Sequence, residues 1–406
     1  MLCLIIEAGN LFFQLSSEVI LSWKSGDQFE VTIEKMSLHG GGVARHEGRV
    51  LFIEFAAPGD RLRVELTEVK KNHAFARIKE ILAPSVERKN PPCPAFGRCG
   101  GCNWQHLSEE SQWKWKESLV RDALARAWGK EFLFLPMFHS PKEFRYRNRI
   151  QLKKHHDQIG YFEKGSHRLV AIDDCLLAEE PLIKSFAELK AKAFAEPAQN
   201  WEISLSREGT AQLTSLQERD LAFSQVNRFV NEALVSEVLQ WASETEWLHY
   251  WDLYCGSGNF TFPLAEQRPK ATGLGVELST SSIEQAQAET KRRGWSPKKL
   301  DFYRSDVGIF LRRNAPPANS LILLDPPRAG LDEGIVKALA ASEAQTLLYI
   351  SCDPMTLARD LRRLREVAPS RWKIHRARCF DMFPQTDHVE TLVELRIDSS
   401  LSNANF

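Results

Sequence analysis

Over residues 29–81 apolar and polar positions alternate in short runs (FEVTIEKM, LHGGGVARHEGRVLFIEF, APGDRLRVELTEV, HAFARIKEIL), broken by Gly40 to Gly42, Gly48 and the Pro58-Gly59 turn. A period of two with turn residues between the runs predicts a small antiparallel β-barrel. Ala83-Pro84 and Asn90-Pro91-Pro92 end it, since paired prolines suit neither a helix interior nor a central strand. A helical period follows over 107–128, carried by Trp113, Leu119, Leu124 and Trp128. From about Leu221, candidate strands at 247–254, 271–277, 300–306, 320–325, 346–351, 372–380 and 391–397 alternate with helical stretches such as SSIEQAQAETKRR, where Ser279 and Thr280 are suited to N-capping. Strands alternating with helices predict an open, mostly parallel sheet covered on both faces. The expected division is an extension (1–26), the barrel (27–86), a central α+β region (87–220) and an α/β domain (221–406).

Composition narrows the class. The 406 residues carry 53 Lys plus Arg against 53 Asp plus Glu, and 43% are apolar, as in a globular protein; taken alone, the neutral total argues against a polyanionic partner. No window approaches the roughly 18 apolar residues of a membrane-spanning helix. The most apolar stretch, 1–23, is interrupted by Glu7, Asn10, Gln14 and Glu18 and lacks a basic start, so neither an anchor nor a signal peptide is expected, and the chain is expected in the cytoplasm. Three of the eight cysteines fall within ten positions, which without an export signal points to a metal site rather than to disulfides.

Candidate chemistry gathers at the ends of the C-terminal strands. Asp252 leads into Tyr254-Cys255-Gly256-Ser257-Gly258-Asn259, and Glu277 closes the next strand 21 residues after Gly256. Glycines let the backbone approach a ligand, and an acid at the second tip can accept ribose hydroxyls. The third glycine of the dinucleotide fingerprint is missing, which favours S-adenosylmethionine over a nicotinamide cofactor. Asp306 ends the third strand. Asp325 ends the fourth and continues as Pro326-Pro327-Arg328-Ala329-Gly330, a stiff loop where a substrate base would meet the cofactor. Ser351-Cys352-Asp353-Pro354 puts a thiol on the same edge. A methyl donor, a rigid loop and a thiol together suggest covalent catalysis by the thiolate. FPQTDHVE (383–390) enters the last strand, with Glu390 as a candidate general base and His388 as its competitor.

Cys93, Cys99 and Cys102, with Cys175 as a distant fourth, can converge on one metal centre, and zinc and an iron–sulfur cluster share such a set. Local charge revises the neutral total. Between 145 and 168, seven basic residues (Arg145, Arg147, Arg149, Lys153, Lys154, Lys164, Arg168) stand against Asp157 and Glu163, a net +5 interleaved with Tyr146, Tyr161 and Phe162. Between 359 and 378, eight basic residues stand against Asp360 and Glu366, a net +6. Such runs suit a polyanion with stackable bases, and Lys70, Lys71, His73, Arg77 and Lys79 at the end of the barrel point the same way.

In their order, DLYCGSGNF, LDPPRAG, YISCDPMTLARD and FPQTDHVE resemble the RNA uracil-5-methyltransferase family over about residues 27–397, and within it the branch with an N-terminal TRAM domain and a four-cysteine [4Fe–4S] site that modifies 23S ribosomal RNA. The resemblance implies an α/β class I Rossmann-like methyltransferase domain, an OB-like TRAM barrel and a central iron–sulfur and RNA-binding domain. It implies S-adenosylmethionine and a [4Fe–4S] cluster as cofactors and structured RNA as partner; a monomer is expected. By resemblance Cys352 is the nucleophile and Glu390 the general base. Gln225, Tyr254, Asn259, Glu277, Asp306 and Asp325 match the cofactor-contacting positions, and Cys93, Cys99, Cys102 and Cys175 the cluster ligands. Asp353 stands where many members have Asn, and residues 1–26 and those after Ser399 have no clear counterpart. Transfer RNA is the alternative substrate. An RNA cytosine-5-methyltransferase would carry a cysteine where Arg328 stands. Intact Cys352 and Glu390 argue against a silent RNA-binding assembly factor, and the missing third glycine argues against an iron–sulfur oxidoreductase.

Overall fold

The computed structural model describes residues 23–38, 40–195, 199–206, 209–215 and 225–397; most of the N-terminal extension, the start of the C-terminal domain at 221 and the tail after Ser399 lie outside the described residues. The barrel comprises β1 (Gln28–Thr32), β2 (Lys35–Met36), β3 (Gly42–His46), β4 (Arg49–Ile53), β5 (Arg61–Val69) and β6 (His73–Ala83), in the order β1-β5-β6-β4-β3-β2. Alternate residues face inward, so Val31, Leu51, Ile53, Leu62, Val64, Leu66, Ala74 and Ala76 form its core. The sheet is not antiparallel throughout. β4 pairs with β6 in parallel, because both run the same way on either side of the β5 excursion.

Next come α1 (Glu109–Trp128), whose N-cap Ser108 accepts from the Ser111 amide, and β7 (Leu133–Phe138). The central sheet follows as β8 (Arg149–His155), β9 (Gln158–Phe162), β10 (Leu169–Ala171), β11 (Asn200–Leu205) and β12 (Ala211–Ser215), in the order β10-β9-β8-β11-β12. Helices α2 (Glu180–Lys184) and α3 (Phe186–Ala195) pack Leu182, Phe186 and Leu189 against it.

The C-terminal unit alternates α4 (Arg228–Ser243), β13 (His249–Leu253), α5 (Thr261–Gln267), β14 (Thr272–Glu277), α6 (Thr280–Arg292), β15 (Leu300–Arg304), α7 (Val307–Leu311), β16 (Ser320–Leu324), α8 (Glu333–Ala341), β17 (Thr346–Ser351) and α9 (Pro354–Val367), ending in β18 (Trp372–Phe380) and β19 (Glu390–Ile397). The eight-stranded sheet runs β15-β14-β13-β16-β17-β19-β18-β7. Strands β13 to β17 are parallel, β19 is antiparallel to both neighbours, and β7 lies parallel to β18 at the edge.

The sequence pattern places α1 in the central region, yet its apolar stripe belongs to this sheet. Val120 and Leu124 of α1 and Met137 of β7 share a core with Trp251, Ile322 and Leu361. β7 carries Pro136, which an edge strand tolerates because one side of it makes no ladder bonds. A fully buried ion pair is here too. Lys116 of α1, fully buried, donates to Asp381 Oδ1 at 2.7 Å and to the Phe383 carbonyl at 3.0 Å, and Trp113 Nε1 donates to Asp381 Oδ2 at 3.0 Å. Lys116→Met, which strands that carboxylate in the interior, is expected to cost about 3–5 kcal/mol, read as a lower denaturant midpoint. Adding Asp381→Asn should recover much of the loss.

Candidate active site

Pleat geometry assembles the site. β13, β16 and β17 are in register through Leu253, Leu324 and Tyr349, and β19 returns with Thr391 opposite Ser351. Side chains alternate faces along a strand, so Asp252, Asp325, Cys352 and Glu390 share one face at the carboxyl edge. Beneath them on that face lie Tyr250, Leu323, Ile350 and Leu392, all in one core cluster. One step beyond the last paired residues, Cys352 stands opposite Glu390.

Burial dominates the electrostatics of this edge. It pushes the Cys352 thiol up to about 12, with Glu390 adding to the shift and Arg328 opposing it. Glu390 is 3% exposed; burial, then Asp325, holds it well above the carboxylate range, again against Arg328. Asp325 is raised by burial, Asp252 and Glu277, and fully buried Asp252 is pushed to about 7 by burial. Asp252 accepts from the Thr261 hydroxyl through Oδ2, while Oδ1 has no partner. Burial also holds the His388 ring below its usual value, with Arg328 contributing and Asp387 opposing; Arg328 Nη2 lies 3.2 Å from His388 Nε2.

A cavity of about 440 Å³ adjoins the edge, lined by Gln225, Tyr254, Asn259, Asp325 and the Gly256–Gly258 turn. Gly258 has φ +95°, and a Cβ there would lie 2.4 Å from the Phe262 ring, so only glycine forms this turn. Glu277 accepts from the amides of Gly256 (3.2 Å), Leu278 and Ser279 (both 2.8 Å), which pins its carboxylate beside the turn. Asp306 caps α7 through the Ile309 amide at 2.9 Å, and neither acid lines this cavity. A glycine cradle with an acid at the next strand tip suits a nucleoside carrying a charged sulfur.

A larger cleft of about 1260 Å³ lies between barrel, cysteine loop and the carboxyl edge of the sheet, lined among others by Phe55, Arg98, Arg147, Lys164, Arg328 and His388. Most charges of the two basic runs are engaged within the protein. Arg145 pairs with Asp174, Arg149 with Glu202, Lys164 with Glu54 and Arg168 with Glu163. In the second run Arg376 joins Glu244 and Glu394, and Arg378 joins Glu237. On the barrel, Arg77 and Lys79 share Glu65, and Lys70 pairs with Glu68. Exposed Arg98 lies outside both runs, so counting charges along the chain passes over it.

Cys93, Cys99, Cys102 and Cys175 line one small cavity with Tyr161 and Gln105. Their sulfurs accept from Gln105 Nε2 (2.9 Å to Cys102), the Gly101 amide (3.4 Å to Cys99) and the Tyr161 hydroxyl (3.9 Å to Cys175). Burial raises Cys99 to about 11 and Cys102 to about 12, and neighbouring thiols add to both. Among the described residues, no group of three or more His, Cys, Asp or Glu side chains is placed to hold a single metal ion. Neither Gln105 nor Tyr161 carries a sequence signal for this role.

A family model described as tRNA (uracil-5-)-methyltransferase matches residues 198–296 and 297–397, and a TRAM domain model matches 22–79. An uncharacterized RNA methyltransferase of Bdellovibrio bacteriovorus is 42% identical, covering 92% of this chain and 96% of the relative. The 23S rRNA (uracil(1939)-C(5))-methyltransferase RlmD of Shewanella amazonensis is 31% identical, covering 90% and 95%. The tRNA (uracil-54, C5)-methyltransferase of Pyrococcus abyssi, solved with S-adenosyl-L-homocysteine, has the same fold, with a TM-score of 0.69 at 23% identity over 90% of this chain and 99% of that one.

A half-buried thiol beside a carboxyl, with its value pushed up to about 12, has little thiolate at neutral pH. Alkylation of Cys352 by iodoacetamide, followed on its peptide by mass spectrometry, is expected to be slow at pH 8. It should keep rising roughly tenfold per pH unit past pH 9, where a thiol with the ordinary value of about 8.5 levels off.

Proposed function

Since the chain belongs to the RNA uracil-5-methyltransferase family and carries its TRAM domain, we propose that it methylates C5 of a uridine in RNA, using S-adenosylmethionine, with 23S ribosomal RNA as substrate. The observation that carries this reading is the register that sets Cys352 opposite Glu390 and beside Asp325, on an edge bordered by both the smaller cavity and the cleft.

Each group has a defined task. C5 of uracil is a weak nucleophile. The Cys352 thiolate adds to C6, and the displaced electron pair forms an enolate on the ring, whose C5 then bonds to the donated methyl carbon. S-adenosylmethionine would be held in the smaller cavity by Gln225, Tyr254, Asn259 and Asp325, with Glu277 and Asp306 at the neighbouring strand ends, and would supply that methyl as an electrophile, its S–CH3 bond breaking to release S-adenosylhomocysteine. The adduct keeps the C5 proton. Glu390, as carboxylate, removes it, the double bond re-forms, and the thiolate leaves C6. Burial and mutual repulsion bias Cys352, Asp325 and Glu390 toward their neutral forms, so a cation arriving beside Asp325 favours the charged forms that the steps require. The cleft gives a uridine splayed from its stack a route to this edge, with Arg98 and Arg328 available to phosphates.

We assign Cys93, Cys99, Cys102 and Cys175 to a [4Fe–4S] cluster. Four thiols line one cavity, and the sulfurs of Cys99, Cys102 and Cys175 accept hydrogen bonds, so the set would supply four thiolates to such a centre. Methyl transfer is redox-neutral, so the role of such a centre is to shape the protein. The 23S reading rests on the relatives named for uracil 1939; transfer RNA, the substrate named for the Pyrococcus abyssi enzyme, is the second reading. We place a monomer in the cytoplasm; among the described residues no helix is long and apolar enough to cross a membrane.

Cys352→Ala is expected to bind RNA and S-adenosylmethionine while forming no 5-methyluridine by nucleoside mass spectrometry; full activity would refute covalent catalysis. Glu390→Gln should slow turnover by about 10²–10⁴-fold and accumulate a denaturant-resistant protein–RNA adduct, and absence of the adduct would move the base to His388. Anaerobic purification should yield a brown protein with about four irons, whereas stoichiometric zinc would overturn the cluster. Mapping 5-methyluridine in ribosomal and transfer RNA from a deletion strain decides the substrate.

A further inference from the structure

The loop between β18 and β19, which leads directly into Glu390, is held chiefly by residues from the first half of the chain. Gln385 is buried with φ +68°, a left-handed conformation uncommon for a side-chain-bearing residue. Its carbonyl accepts from the Asn103 and Trp104 amides at 3.2 and 3.0 Å, and its own amide donates to Gln112 Oε1 at 2.9 Å. Its side chain meets Gln112 and Glu143 at 3.2 and 2.8 Å. The Asp387 amide donates to Asn103 Oδ1 at 3.0 Å, and the Tyr146 hydroxyl donates to the Pro384 carbonyl at 2.9 Å.

These holdfasts are continuous with the cysteine loop. Asn103-Trp104 directly follows Cys102, whose sulfur accepts from Gln105. Tyr146 is tied through Arg147 Nε (3.3 Å), and Arg147 Nη2 donates to the Gly101 carbonyl at 3.3 Å. Gly40 of the barrel closes over the junction: Trp104 Nε1 donates to its carbonyl at 3.0 Å, and a Cβ there would lie 2.4 Å from Asn103 Nδ2 and 2.8 Å from Asp387 Oδ2.

We infer that Asn103-Trp104 positions the loop ahead of Glu390, so that the filled four-cysteine site sets where the general base stands. The inference rests on the proposed roles of Glu390 and of the cysteines. Asn103 and Tyr146 are positioning residues: they touch no reacting atom and act by holding backbone. With the cysteine loop tied to its centre, Asn103, Trp104 and Arg147 are held in place and the left-handed turn at Gln385 is held with them. Without that centre the loop from 99 to 104 gains freedom, and the segment from 381 to 388 follows it.

The test compares Asn103→Ala, the near-isosteric Tyr146→Phe, Glu390→Gln and the full-length protein stripped of metal by anaerobic chelation. For the two positioning variants kcat should fall by about 10- to 100-fold, with KM for RNA and affinity for S-adenosylmethionine within about twofold, as expected for a misplaced but present base. On RNA with ordinary uridine both should accumulate the denaturant-resistant adduct. Amide hydrogen exchange over 381–388 should accelerate in both variants and in the stripped protein, with 346–351 unchanged. Unaltered exchange over 381–388, or a rise in KM with kcat preserved, would overturn the inference. If Glu390→Gln yields adduct and neither positioning variant does, the positioning role fails alone; if Glu390→Gln yields none, the base assignment itself fails.

Discussion

Burial at the carboxyl edge of the eight-stranded sheet sets the electrostatics of the candidate site. Parallel strands deliver Asp252, Asp325 and Cys352 to one face, and the antiparallel return of β19 adds Glu390 to the same face. With solvent restricted there, their charged forms are costly, and repulsion among neighbouring carboxylates compounds the cost. Burial therefore biases each of these groups toward its neutral form. On the proposed reading, what occupies the adjoining spaces then sets how readily Cys352 ionises. Arg328 is the counterweight, since it opposes the shift of both Cys352 and Glu390.

The edge is not the property of one domain. The final strand position is taken by β7, and α1 supplies the buried ammonium that neutralises Asp381, just ahead of the loop entering Glu390. The barrel reaches the same place through Gly40. Cleft, cysteine loop and the loop ahead of Glu390 thus meet at one junction, and a disturbance in any of them has a short route to the others.

Much of this was legible along the chain, for a physical reason. Alternating periods of two and of 3.6 are local, as are the glycines, prolines and acids at strand ends, so the C-terminal strands and the residues on their tips follow from short windows. The departure at Asp353 is equally local: its carboxylate caps α9 through the Met355 and Thr356 amides, a task Asn performs as well. What escaped depends on partners remote in sequence. β7 has no alternation and contains Pro136, and only its neighbour β18 makes it a strand. The basic runs read as a surface for RNA, but Lys164 meets Glu54 from 110 residues away and Arg376 meets Glu244 from 132 away. A one-dimensional charge count cannot register such cancellation, and it overlooks Arg98. The cysteines were visible as a set; the hydrogen bonds to their sulfurs were not.

The buried pair between α1 and the segment leading to Glu390 also bears on how the chain is made. Lys116 precedes Asp381 by 265 residues, and at synthesis rates of about 5–20 residues per second its counter-charge emerges roughly 10–50 s later. During that interval the ammonium cannot be buried, so the face of α1 that carries it, with Trp113 beside it, stays open to water. The N-terminal half therefore leaves the ribosome as an unfinished surface, exposed to aggregation and to chaperones, and completes its packing only when the segment leading to Glu390 has been translated.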